Sequence, residues 1–158
     1  MLNISVRVLV VQLLLLGTRS VGQQIDIQHL YGSWRVSDVL CADCGNRVPA
    51  EKGTTIQLGE SKIVNPLSDN CAEAPGYNLL KKITARELLT GAGKSWPEAA
   101  KQRLQKRQKV LYGFVTCGGG NYMQVAFLSV DEGFYFFEGN LVFLLRHTHT
   151  AAQKRQSN

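Results

Sequence analysis

From Ser33 onward, apolar and polar positions alternate in short runs separated by glycine, proline, asparagine and aspartate. Short runs punctuated this way predict β-strands joined by turns. Four strands are expected first, at Ser33–Cys41, Thr54–Gly59, Lys62–Asn65 and Tyr77–Ile83. The period then changes. In "SWPEAAKQRLQKRQKV", Ser95 suits a helix cap, Pro97 an early helical position, and Glu98 the first turn. A helix is expected from Trp96 to about Gln108, with a short helical turn in "ARELLTGAGK" before it. Four more strands follow, at Val110–Cys117, Tyr122–Val130, Phe134–Glu138 and Leu141–His147. "GGGN" and the Gly139-Asn140 pair mark hairpins between them.

The fold class expected is all-β. An open sheet of eight strands leaves two exposed edges, and an up-and-down barrel leaves none. The pattern therefore predicts an eight-stranded antiparallel barrel with one helical insertion between strands four and five. "FYFF" is apolar on both faces, so the outside of that strand should be covered, and the helix around Leu104 is the expected cover.

The chain has 158 residues, and the first 22 read as an export signal rather than as fold. Arg7 precedes the apolar run Val8–Leu16, and Ser20-Val21-Gly22 offers small residues for cleavage after Gly22. Residues 23–149 form the expected domain, and 150–158 a disordered tail. All four cysteines, Cys41, Cys44, Cys71 and Cys117, follow the signal. An even count in an exported chain predicts two disulfides and a periplasmic or secreted location.

Gly32-x-Trp34 at the start of the first strand, with Arg146 at the end of the last, resembles the signature of the lipocalins, in the calycin superfamily. The chain is similar to an exported bacterial lipocalin-like β-barrel domain. The resemblance implies that Trp34 plugs the closed end of the barrel and that Arg146 packs over it. It departs from the family in two ways: the helix falls between strands four and five rather than after the last, and the family's middle motif is not evident. With the first strand running from the closed end upward, all four cysteines gather at the open mouth. Cys71–Cys117 with Cys41–Cys44 is the preferred pairing, and the crosswise pairings stay open.

Four tyrosines, Tyr77, Tyr112, Tyr122 and Tyr135, lie on expected strands and are candidates for lining a ligand cavity. Tyr112 shares parity with Phe114, Tyr122 with Gln124 and Tyr135 with Phe137. If these faces point inward, the interior is amphipathic. If they point outward, it holds Val125, Phe127, Phe134 and Phe136 and is solid.

Other constellations favour plain readings. Cys41-Ala-Asp-Cys44 has redox spacing but ends a strand, which favours a structural disulfide over a catalytic or metal-binding one. His29, His147 and His149 stand at neighbouring strand ends, and solvated histidines outweigh a zinc site there. No nucleophile elbow or catalytic set emerges. No enzyme activity, metal or cofactor is expected. The formal charge is +6. The run Lys101, Arg103, Lys106, Arg107 and Lys109 is a solvated helix face or a contact for an anionic surface. No nucleic-acid-reading module is present, so nucleic acid is not an expected partner. The leading function is non-covalent binding of a small apolar or amphipathic molecule inside the barrel. The alternative is a filled barrel that binds an extracytoplasmic protein, for example as a periplasmic inhibitor, through disulfide-stiffened mouth loops.

Overall fold

The computed structural model describes residues 25–40, 52–137 and 139–147. The expected signal segment, Cys41, Cys44, Glu138, His149 and the expected tail lie outside the described residues. A 3-10 turn (Ile27–Leu30) leads into β1 (Gly32–Leu40), β2 (Thr55–Leu58), β3 (Ile63–Val64) and β4 (Lys81–Thr84). Next come α1 (Ala85–Thr90), a second 3-10 turn (Ala92–Ser95) and α2 (Glu98–Gln105). The chain continues through β5 (Lys109–Cys117), β6 (Gly120–Phe127), β7 (Glu132–Phe137) and β8 (Asn140–Arg146).

Among the described residues, the strands make one antiparallel sheet of eight, ordered β3-β2-β1-β8-β7-β6-β5-β4. First and last strands are neighbours in it, paired from Trp34 with Arg146 to Leu40 with Leu141. The sheet is not closed into a barrel: β3 and β4, consecutive in the chain, are its two edges. The edge-free barrel is corrected to that extent, and the local chemistry gives the reason. Pro66, two residues beyond β3, has no N–H to continue a ladder. Residues 77–80 turn instead of extending into β4, with the Leu80 N–H donating to the Tyr77 carbonyl at 3.1 Å. They cross over β5 at Gly113, where φ is +151° and an added Cβ would lie 2.2 Å from the Leu79 carbonyl oxygen. Only glycine allows that crossing.

A strap fills the gap. Cys71 exchanges two backbone hydrogen bonds with Ile63 of β3, both 3.0 Å, and Gly76 exchanges two with Thr116 of β5. Cys71 is also disulfide-bonded to Cys117, with Cα atoms 5.8 Å apart. A hydrogen-bonded antiparallel pair sets Cα atoms about 5.5 Å apart, so Ile63 and Cys117 lie within about 11 Å of each other. The sheet has therefore curled back until its two sides share one strap.

Curling gives the sheet an inside and an outside, and both are apolar. Trp34, Val36, Ile56, Leu111, Val115, Met123, Val125, Phe127, Tyr135, Val142 and Leu144 pack inside. Val110, Ala126, Phe134, Leu141 and Phe143 pack outside, against Leu88, Trp96, Ala100 and Leu104 of the helical insertion. This is why β7 is apolar on both faces. A capping box starts α1 directly at the end of β4: the Glu87 N–H donates to Thr84 Oγ1 at 3.1 Å, and the Thr84 N–H to Glu87 Oε2 at 2.6 Å. Helix α2 is shorter than expected, because Trp96 and Pro97 remain extended ahead of it.

Candidate functional site

Three places bear on function: the end of the sheet at Trp34, the interior, and a groove on the helix-covered face.

At the first, Trp34 is fully buried. Its indole Nε1–H donates to the Leu30 carbonyl at 2.7 Å, and its ring lies 5.0 Å from that of Phe127. The Arg146 guanidinium stands 5.6 Å from the Trp34 ring centroid. It donates to the Tyr31 carbonyl at 2.5 Å, to the Val130 carbonyl at 3.2 Å, and to the His29 carbonyl. One cation thus ties together the 3-10 turn, the start of β1 and the β6–β7 turn. Gly32 has φ +134°, and an added Cβ would come within 3.0 Å of Arg146 Nη2. Gly32, Trp34 and Arg146 form one packed unit that seals this end and offers no reactive group.

Among the described residues, the inner side chains are closely packed. Trp34, Val36, Ile56, Ile63, Val115, Val125, Phe127, Val142 and Leu144 have 0% accessible surface. A side chain with no accessible surface touches no space that admits water, open or enclosed, so no ligand cavity borders these residues. The tyrosines divide between the faces. Register pairs Val125 with Tyr135, so those two share the inner face while Phe134 faces out. The Tyr135 hydroxyl accepts from Asn65 Nδ2 at 3.1 Å. Tyr77 donates to the Gly59 carbonyl at 2.9 Å, and Tyr122 to the Asp69 carbonyl. These three hydroxyls therefore anchor the segment from Gly59 to Asp69. Tyr112 faces out and accepts from Gln124 Nε2 at 2.6 Å.

Burial pushes the Tyr77 phenol well above its ordinary value of 10.0, with the charge of Tyr31 adding to the effect. The folded state therefore favours the neutral phenol. That stabilisation is complete below the ordinary phenol range and is lost as pH rises through the folded value. The thermal midpoint is expected to fall above about pH 10, and to fall less steeply in Tyr77→Phe. Parallel alkaline melting curves for the two proteins would show that Tyr77 does not carry the effect.

The basic run is not one free face. The Arg103 guanidinium stacks 3.9 Å over the Phe143 ring, and Arg107 pairs with Glu132 at 2.5 Å. Lys106 and Lys109 are exposed, and Lys101 is half-buried. His29 and His147 flank the sealed end: the His147 backbone N–H donates to the Ser33 carbonyl at 2.8 Å. Among the described residues, no group of three His, Cys, Asp or Glu side chains is placed to hold a metal.

The groove lies between the second 3-10 turn and the β7–β8 hairpin. It has a volume of about 390 Å³ and is lined by Ser95, Trp96, Pro97, Gln124, Phe136, Phe137, Gly139, Asn140 and Leu141. Trp96 is nearly buried and packs on Phe136 at 4.7 Å and edge-on to Phe134 at 5.6 Å. Sequence reasoning named the outer cover but not this groove. Its walls come from three segments far apart in the chain, and no spacing marks them.

Among known proteins, no family model, curated protein or solved structure matches the chain.

Proposed function

We propose that this chain is an exported, lipocalin-like binding protein. Its ligand is a small amphipathic molecule, and it lies in the groove under the helical insertion rather than inside the sheet. The observation that carries this reading is the contrast between inner side chains with no accessible surface and a concave outer face with aromatic walls and a few polar groups. Ligand sites generally have that composition. The sealed unit of Gly32, Trp34 and Arg146, on first and last strands that pair, supports the lipocalin-like reading. The Cys71–Cys117 disulfide supports an oxidising compartment, periplasmic or extracellular.

The close packing of those inner side chains also favours the second reading, a module that binds an extracytoplasmic protein through the disulfide-tied strap between Cys71 and Gly76. Native mass spectrometry of the mature protein, purified without detergent, separates the two. The groove reading expects a small-molecule adduct that is lost on denaturation. It also expects the adduct to be absent from Ser95→Trp, whose indole fills the groove from an exposed position. No adduct on the wild-type protein moves the function towards the strap, and an adduct that survives Ser95→Trp places the ligand outside the groove.

A further inference from the structure

We propose that one corner of the fold is a docking surface for an anionic lipid bilayer. Lys82, Arg86, Lys106 and Lys109 meet the headgroups, and Leu79 enters beside them.

The positive charge of the chain is concentrated rather than spread. Residues 81–109 hold nine lysines and arginines against two acids, a net of +7, while the whole chain carries +6. The rest of the sequence is therefore nearly neutral, at −1. The charged segment builds β4, the helical insertion and the first residue of β5.

Folding then selects four cations from that segment. Arg103 lies over the Phe143 ring and Arg107 pairs with Glu132, whereas Lys82, Arg86, Lys106 and Lys109 are exposed. Strand pairing brings the four together. Lys109 is the register partner of Thr84, and Lys82 that of Leu111. Lys82 and Lys109 thus stand diagonally across the pair on one face, about 7–8 Å apart. Arg86 follows Thr84 by two residues, in the first turn of α1, and Lys106 precedes Lys109 by three. Glu87, next to Arg86, accepts from the Thr84 N–H at 2.6 Å and hydroxyl at 2.8 Å as part of the helix cap. With its charge counted, these five side chains still carry a net +3.

Such a cluster attracts an anionic surface within a screening length, about 8 Å at physiological salt. Leu79 favours a bilayer over a soluble polyanion. It is 41% exposed and lies three residues before Lys82, within about 11 Å along the chain. Cations beside an exposed apolar side chain suit a membrane interface, where headgroups lie over hydrocarbon. A soluble polyanion has no apolar layer for a leucine to enter. The contact also leaves the groove open. Helix α2 has eight residues and spans about 12 Å, with the groove at Pro97 before it and the corner at Lys106 after it.

The test is co-sedimentation of the mature protein with vesicles at physiological salt. Vesicles of equal parts phosphatidylglycerol and phosphatidylcholine are compared with vesicles of phosphatidylcholine alone. Dextran sulfate is titrated separately as a soluble polyanion, and thermal melts check that each variant is folded. The protein is expected to bind the anionic vesicles and not the neutral ones. Each cation near such a surface contributes about fivefold, so Lys82→Gln, Arg86→Gln, Lys106→Gln and Lys109→Gln together are expected to weaken vesicle binding at least about a hundredfold. Arg35→Gln with Lys62→Gln removes two exposed cations elsewhere and is expected to change it less than about threefold. Leu79→Ser is expected to weaken vesicle binding several-fold and leave dextran sulfate binding unchanged. No binding to the anionic vesicles, equal binding to both kinds, or a fourfold variant that binds as the wild type does overturns the proposal. Unchanged vesicle binding in Leu79→Ser, or tight binding to dextran sulfate without binding to vesicles, overturns the assignment of a bilayer and makes a soluble polyanion the partner.

Discussion

Trp34→Ala is expected to lower the unfolding free energy by about 4 kcal/mol, read from urea denaturation of the mature protein. The side chain is fully buried at the junction of β1, β8 and the 3-10 turn before β1. Alanine removes the ring against Phe127 and leaves a cavity that the paired strands cannot collapse to fill. It also leaves the Leu30 carbonyl without its indole donor. Arg146→Ala is expected to cost less, about 2 kcal/mol, mainly because three backbone carbonyls lose their cationic donor. The double variant tests whether the two residues act as a unit. Arg146 lies over the Trp34 ring and shares its surroundings, so the double loss should fall short of the sum of the single losses by about 0.5 kcal/mol or more. Strict additivity would mean that the indole and the guanidinium stabilise the fold independently, and the seal would not be one structure.

The parts of this fold that were legible in the sequence are those fixed by neighbouring residues. Turn glycines and prolines separate eight apolar runs, and eight strands result. Ser95, Pro97 and Glu98 announce a helix, although the helix begins only at Glu98. The doubly apolar "FYFF" called for an outer cover, and Leu104 and Trp96 provide it. The parts that were not legible depend on how strands meet. Parity within β6 or β7 says which residues share a face of one strand; only the register between them puts Val125 with Tyr135. A register shift beside Val115 leaves Tyr122 as an extra residue, and it packs inward although it shares parity with Gln124. Gly113 reads in sequence as an ordinary strand residue, yet its missing Cβ is what lets residues 79–80 pass over β5. The groove combines residues 95–97, 124 and 136–141, and only the folded insertion brings them together.

Because the sheet's two edges are not hydrogen-bonded to each other, the Cys71–Cys117 link should matter more here than in a sheet closed by its own ladder. Replacing both cysteines with serine is expected to cost about 4 kcal/mol. The bond joins residues 46 apart, and the chain-entropy relation assigns about that much to a loop of this length. The thermal midpoint should fall by on the order of 10 °C or more. The loss should also be local before it is global. The strap retains backbone hydrogen bonds from Cys71 to Ile63 and from Gly76 to Thr116, but each is an isolated bridge rather than part of a ladder. In native-state hydrogen exchange, the amides of residues 63, 71, 76 and 116 should lose protection first. Those of Val125 and Leu144, in the middle of paired strands, should keep theirs until global unfolding. A serine variant that loses less than about 1 kcal/mol would show that the strap's backbone bonds to Ile63 and Thr116 hold it without the disulfide. Uniform loss of protection would show that the curled sheet opens as a single unit, with no separate weak point along its unpaired edges.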